Sequence, residues 1–443
     1  MPEYDVAVIG SGTAAQNVVP RCAQAGLRVV VVDRLPYGGT CGQRGCDPKK
    51  VLLAAAEAVS RARMLDGRGL VGSPTIDWPA LVARKRTFTA PVPERIESWF
   101  RGAGAETMHG SARLVGPHEV EVDGRTFDAA EVVVASGARP VELAIPGEEL
   151  VTTSDRFLDL DALPPRIAFI GGGYISMEFA WLSRMVGAAV TVLHRSAHVL
   201  KEFDETLADQ LVERYRSLGI DVFTDAPVHE VRRHGDELIV VHEGGELAVD
   251  LVVHGAGRVA DLAGLGLEGA GIEAGRRGVR VDERLRSVSD AHVWAAGDAA
   301  DRGLPLTPVA SKEGKVVAAG ILGEDAAYDG RAVPSVCFSD PPLAAVGMSA
   351  AEAARQGDAV KVLRADSGEW FSQRRIGQTH GGMALVTDAA SGRLLGGHLL
   401  GVDADEVINV LALAIRHGLT ASDLTAMTWS YPTATADLPY VLG

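Results

Sequence analysis

The sequence predicts an α/β fold in which two doubly wound dinucleotide-binding regions precede a smaller α+β region. Three observations carry that expectation. Residues 5–33 read as strand, glycine turn, helix and strand. The same order recurs from Arg166. Beyond residue 332 strands and helices mix, and no glycine turn of that kind returns.

The first turn is Gly10-Ser11-Gly12-Thr13-Ala14-Ala15. The apolar run 5–9 precedes it, and a helix and a second strand follow, Val29 to Val32, closing on Asp33 and Arg34. Gly10 and Gly12 let the backbone approach a pyrophosphate. Thr13 and Ala14 open a helix whose amino end faces it, and Asp33 accepts from a ribose hydroxyl. In this context the pattern reads as a Rossmann-like site rather than an ordinary tight β–α turn.

Directly after it comes Gly38-Gly39-Thr40-Cys41-Gly42-Gln43-Arg44-Gly45-Cys46-Asp47-Pro48-Lys49-Lys50. Five residues along a regular helix rise about 7.5 Å, beyond the roughly 7 Å Cα separation that a disulfide tolerates. Cys41 is therefore expected in a turn, eased by Gly42 and Gly45, before a helix that Cys46 enters. A helix amino terminus, with Lys49 and Lys50, would favour a thiolate there. No second cysteine pair or nearby histidine completes a metal-ligand set. Exchange between dithiol and disulfide is thus favoured over half a metal site or two buried structural thiols.

A helix is expected over 50–64, with Val51, Leu52, Ala55, Val59 and Ala62 on one face, and a packing helix over 87–103. Short strands lie around Val120 to Val122 and Glu131 to Ala135, with a turn at Asp123-Gly124 between them. Ser136-Gly137 forms another glycine turn after a strand.

The second fingerprint begins with the strand at Ile167 and runs into Gly171-Gly172-Gly173-Tyr174-Ile175-Ser176, a helix through Glu178, and the strand Val190 to Leu193. That strand ends not in an acid but in His194-Arg195. A carboxylate there would accept from a 2′-hydroxyl and repel a 2′-phosphate. An arginine does the reverse, and Lys201 adds a second cation, so NADPH is expected over NADH. Two fingerprints imply two dinucleotides, FAD in the first and a nicotinamide in the second. Short strands continue to Gly257. A further apolar strand closes on Gly297-Asp298, where a carboxylate can take a ribityl hydroxyl, and Leu306-Thr307-Pro308-Val309-Ala310 starts the next helix.

Length and composition agree. A chain of 443 residues with 47% apolar content allows two to four domains with large cores, and no apolar run is long enough to span a bilayer. The 58 acidic residues against 43 basic ones disfavour non-specific binding to nucleic acid. Four cysteines make no disulfide scaffold, and no signal peptide is expected before the first strand. A cytoplasmic location is expected, where a Cys41–Cys46 bond would be functional rather than structural.

Together these motifs resemble the FAD-dependent pyridine-nucleotide disulfide oxidoreductases, the family of glutathione reductase, dihydrolipoamide dehydrogenase and mercuric reductase. The resemblance covers essentially the whole chain. Gly39-Thr40-Cys41-x4-Cys46-x-Pro48-Lys49-Lys50 resembles the redox signature. Gly297-Asp298 and Leu306 to Ala310 resemble the second flavin motif, and Gly110-Ser111-Ala112 a further contact. Val333 to Pro342 resembles the opening of a dimerisation domain. The resemblance implies FAD-binding parts at 1–143 and 267–331, a NAD(P)H-binding domain at 144–266 and a dimerisation domain at 332–443. It implies a homodimer, with hydride passing from NADPH to the flavin after displacement of Tyr174. Electrons then reach Cys41–Cys46, with Cys46 beside the flavin and Cys41 as the outer, attacking thiol. Lys49 or Lys50 would pair with Glu178 near the flavin.

One departure is conspicuous. Disulfide- and lipoamide-reducing members carry His-Pro-Thr-x-x-Glu; here the run is Tyr431-Pro432-Thr433-Ala434-Thr435-Ala436. Tyrosine ordinarily titrates near 10, against about 6.5 for histidine, and is a poor proton shuttle at neutral pH. Asp437 lies one place beyond the missing glutamate. Tyrosine there also resembles mercuric reductase, yet that enzyme's C-terminal cysteine pair is missing. The leading expectation is an NADPH-dependent flavoenzyme that reduces a small-molecule disulfide or thiol-ligated acceptor. The alternatives are a metal-ion or quinone reductase, and a low-turnover flavoprotein acting as a dimeric binding protein. No resident metal and no nucleic-acid or membrane partner is expected.

Overall fold

The computed structural model describes every residue except Pro117. The chain forms two compact units. One comprises Met1–Lys50, Ala83–Val141 and Arg258–Gly330; the other comprises Val51–Val82, Glu142–Gly257 and Arg331–Gly443.

A seven-stranded sheet organises the first unit. Glu106–His109, Val29–Asp33, Tyr4–Ile9 and Arg125–Val134 lie side by side and parallel, and Val293–Ala295 also pairs parallel to the last of them. Glu119–Val122 and Ala112–Leu114 continue the sheet antiparallel. Val29 to Val32 are buried on both faces, which is why that strand reads as an unbroken valine run. Ile9 stands opposite both Val32 and Val134, and Ala295 opposite Val134. The parallel strands therefore end together, presenting Gly10, Asp33, Ser136 and Gly297-Asp298 along one edge, where doubly wound sheets bind ligands. Helices Thr13–Gln24 and Thr307–Ile321 pack Ala14, Val18, Ala310 and Val317 against Val6, Val8 and Val31.

In the second unit, Ile220–Phe223, Ala189–Leu193, Arg166–Ile170, Leu251–His254 and Thr152–Thr153 form a parallel sheet. Ile170 stands opposite Leu193 and His254, so Gly171, His194 and Gly255 share one edge. The same unit holds the expected α+β region. Its antiparallel sheet runs Ser335–Cys337, Leu343–Gly347, Leu394–Leu400, Gly382–Asp388, Val360–Asp366. Helix Ala404–His417 buries Val407, Ile408 and Leu411 against Leu385 and Leu399. Each such side chain contributes roughly 1.5–3 kcal/mol by leaving water. Among the described residues no helix is long and apolar enough to cross a membrane.

Two local expectations are corrected. Cys41 does not lie in a turn: it sits in a short helix, Gly39–Arg44. The break falls at Gly45, with φ −135° and ψ −119°, and Cys46–Met64 starts a new helix. The reach of the pair is met by interrupting the helix between the cysteines, not by starting it after the first. The helix expected over 87–103 is two, Trp78–Thr89 and Val92–Gly102, with Ala90-Pro91 between them. Proline disfavours helical backbone in the residue before it.

Candidate active site

The glycine turn and the redox helix of the first unit meet backbone to backbone. Gly39 has φ +71°, and a Cβ there would lie 2.5 Å from Gly12 Cα. Only glycine tolerates both conditions. Asp33 Oδ2 accepts from Ser11 N at 2.9 Å and from Ser11 Oγ at 2.6 Å; Oδ1 accepts from Leu35 N at 2.9 Å. A carboxylate has about four acceptor directions, so one is left for a ligand hydroxyl. Gly110 N donates to the Asp33 carbonyl at 3.1 Å, which brings Ser111 and Ala112 beside this strand end. Arg34 is turned into an ion pair with Asp261.

Cys41 and Cys46 are free thiols, Cys41 half-buried and Cys46 exposed. Thr307, at the amino end of Thr307–Ile321, donates from Oγ1 to Cys41 Sγ at 3.0 Å and lies 3.7 Å from Cys46 Sγ. Asp47 Oδ1 is 3.9 Å from Cys41 Sγ. The two sulfurs are unlike. The Cys41 thiol donates to Cys46, which pushes Cys41 well above the usual thiol range, and burial pushes it further. The same hydrogen bond, with Lys49 and Thr307, lowers Cys46 to about 6 against the partial desolvation of its sulfur. Negative charge therefore rests on Cys46, at a helix amino terminus where backbone N–H groups favour it. Lys49 is buried and Lys50 half-buried.

One residue here was not anticipated. Glu313 is fully buried; its Oε2 accepts from Gly297 N at 2.7 Å, and its Oε1 has no partner among the described residues. Burial pushes its pKa up to about 7. The signal was legible: Val309, Ala310, Glu313 and Val317 share one helical face.

In the second unit, Gly171, with φ +103°, packs on Gly255 and Ala256, next to Gly257. Tyr174 and Ile175 open the helix Tyr174–Val186, and Tyr174 is 39% exposed. Arg195 and Lys201 are exposed, with no ion-pair partner among the described residues. Glu178 is fully buried, its Oε1 accepting from Phe338 N at 3.1 Å. Tyr431 is 74% exposed and stacks on Phe371, with ring centroids 6.4 Å apart. Asp437 does not present a free carboxylate. It is buried and accepts from Ser372 Oγ at 2.5 Å, tying the last turn to the short helix that carries Phe371.

Residues 4–314 match the family described as pyridine nucleotide-disulphide oxidoreductase, and residues 333–439 match its dimerisation domain. The chain belongs to this family. Glutathione reductase of Burkholderia cepacia is 34% identical over 439 residues, covering 97% of this chain and 96% of that one. Dihydrolipoyl dehydrogenase of Thermus scotoductus is 33% identical over 447 residues, covering 99% and 96%. The HOCl-induced flavoprotein disulfide reductase RclA from Escherichia coli superimposes with TM-score 0.89 at 28% identity, covering 99% of both chains. Its Cu(II) complex gives the same score over 98% of this chain and 99% of that one.

Membership makes the protein a disulfide oxidoreductase that uses FAD and a pyridine nucleotide and carries a dimerisation domain, consistent with a homodimer. The first unit fits FAD on its own evidence. Ser136 Oγ, beside Gly137, is buried without a partner among the described residues. Asp298 is desolvated, which raises its pKa, and it accepts no hydrogen bond from the described residues. Both stand at the sheet edge with Asp33, ready for a ligand rich in hydroxyls.

Proposed function

We propose that the enzyme takes electrons from NADPH and delivers them, through Cys41 and Cys46, to a small oxidised thiol or thiol-ligated acceptor in the cytoplasm. The observation that carries this reading is the unequal sulfur pair under the Thr307 hydroxyl. Residues 1–143 and 267–331 would hold FAD through Gly10, Gly12, Thr13, Ala14, Asp33, Gly39, Thr40, Ser136, Asp298, Leu306 and Ala310. Bound FAD supplies the two-electron link between nicotinamide and sulfur. Residues 144–266 would hold NADPH, with Arg195 and Lys201 on the 2′-phosphate and Tyr174 at the entrance, and 332–443 would form the dimer.

Within the pair, Cys46 stores the negative charge and serves as base for Cys41. Cys41 would pass its proton to Cys46 as its sulfur attacks the acceptor disulfide, breaking that S–S bond; the expelled thiolate would take the proton from Cys46 and leave as a thiol, which restores the Cys46 thiolate. That arrangement needs no histidine, which suits a chain with Tyr431 at that position. A second thiolate attack, from Cys46 on Cys41, would release the reduced acceptor and leave the Cys41–Cys46 disulfide. The test is NADPH oxidation with a panel of oxidised thiols, comparing wild type with Cys41→Ser. Loss of turnover in the variant supports the reading; full turnover removes the dithiol from the path.

A second reading makes a cupric or similar metal ion the substrate. It is favoured by the exposed Tyr431–Phe371 stack in place of a histidine, and by the Cu(II) complexes of the structurally similar RclA. Cys41, Cys46 and Asp47 would then be the ligands that hold the ion during reduction. NADPH-dependent Cu(II) reduction that fails in Cys46→Ser, with no turnover of any disulfide, would select this reading over the first.

A further inference from the structure

We infer that His194 is a specificity-determining positioning residue, whose ring locks the loop carrying Arg195 and Lys201 onto the Gly171–Gly173 turn. The inference rests on the NADPH reading above.

His194 stands at the end of the strand Ala189–Leu193, where a ribose-binding acid would select against a 2′-phosphate. Its Nδ1 accepts from Gly172 N at 3.0 Å, and its Nε2 donates to the His198 carbonyl at 2.9 Å. Leu200 N donates to the Gly172 carbonyl at 2.8 Å. These bonds close a ring through Gly172, His194, His198 and Leu200. The backbone of His194 is itself fixed: its N–H donates to Phe223 and its carbonyl accepts from Ala226, each at 2.8 Å. Packing adds to the lock. A Cβ on Gly172 would lie 2.8 Å from His194 Cγ and 2.7 Å from Val199 Cγ1.

One nitrogen accepting and one donating define a neutral imidazole. Burial, then the nearby Arg195 and Lys201, hold its pKa below the ordinary value, against the His198 carbonyl and Asp225. On the outer side of the loop, His198 Nδ1 meets Asp209 Oδ1 at 3.0 Å. His194 thus presents no charge to a nucleotide and spends both nitrogens on backbone. Leu200 is held at φ +51°, a strained conformation for leucine, on the turn side of the ring. The glycine turn that receives the pyrophosphate and the loop that receives the 2′-phosphate move as one body. NADH engages only the first, and NADPH engages both. Opening the ring therefore penalises NADPH more than NADH.

The test is steady-state reduction of ferricyanide by the holoenzyme, with NADPH and NADH, for wild type, Arg195→Glu, His194→Ala and His194→Asn. Asparagine Oδ1 can replace Nδ1 as acceptor for Gly172 N–H. His194→Ala is expected to raise KM for NADPH about tenfold, about 1.4 kcal/mol. It should leave kcat and KM for NADH within about threefold, and His194→Asn should recover most of the loss. Unchanged melting temperature and flavin content confirm that each variant is folded. A wild type that prefers NADPH, with His194 variants that leave the KM ratio unchanged or shift both nucleotides equally, overturns this inference alone. A wild type without that preference, or Arg195→Glu without effect on the ratio, overturns the NADPH reading and this inference with it.

Discussion

Thr307→Val removes one hydroxyl at nearly constant volume. In the structure that hydroxyl donates to Cys41 Sγ at 3.0 Å and lies 3.7 Å from Cys46 Sγ. It is one of the groups that lower Cys46 to about 6, after the hydrogen bond from Cys41 and the charge of Lys49. A hydrogen bond of this kind is worth about 1 kcal/mol net, and one pH unit corresponds to about 1.4 kcal/mol. The thiolate midpoint should therefore rise by somewhat less than about one pH unit. The assay is the rate of iodoacetamide labelling of Cys46 in the reduced enzyme as a function of pH, read by peptide mapping. Because only the thiolate reacts, labelling falls as pH drops through the midpoint, which lies below the ordinary thiol range in wild type and should lie higher in the variant. Cys22 and Cys337 are buried, and burial pushes Cys22 up to about 11, so they serve as unreactive controls. An unchanged midpoint in Thr307→Val would refute the role given to this hydroxyl.

Three further outcomes follow from the same geometry. Gly39→Ala puts a methyl group 2.5 Å from Gly12 Cα at φ +71°, and should cost at least about 2 kcal/mol, seen as a lower melting temperature and loss of bound flavin. Glu313→Gln keeps an acceptor for Gly297 N–H but cannot ionise. Because burial raises the Glu313 pKa to about 7, the stability it permits is fully present at acid pH and is lost as pH rises through 7. The variant should gain thermal stability over wild type at pH 8, by at most about 3 kcal/mol, and little at pH 5. Tyr431→His restores a group that titrates near neutrality, and should raise disulfide turnover if proton delivery limits it; a drop in turnover would show that the tyrosine ring itself contacts the acceptor.

Both glycine turns at strand ends were legible because their signals are local. A valine strand, glycines at fixed offsets and a helix follow one another within thirty residues, and the structure puts Gly10 with Asp33, and Gly171 with His194, at the ends of paired strands. The cysteine spacing was legible as a limit on reach. Where the limit was met was not, since a kink at Gly45 and a turn that holds Cys41 satisfy it equally. Contacts set by topology lay beyond local pattern. Thr307 reaches Cys41 across 266 residues, and the strand Val293–Ala295 that leads to it pairs with Arg125–Val134, itself paired with the strand before Gly10. The position of Asp437, one place beyond the missing glutamate, does not reveal its bond to Ser372, next to the aromatic pair. The role of His194 is not legible in the sequence, because nothing in its neighbours along the chain reveals that Gly172 lies against its ring.

Passage of electrons from NADPH into the two sulfurs is most directly measured by labelling. The oxidised enzyme is mixed anaerobically with one equivalent of NADPH, quenched with iodoacetamide and mapped by mass spectrometry. Alkylation of both Cys41 and Cys46, each unlabelled before NADPH is added, is the predicted result. Oxidation of the nucleotide with both sulfurs still unlabelled would contradict it.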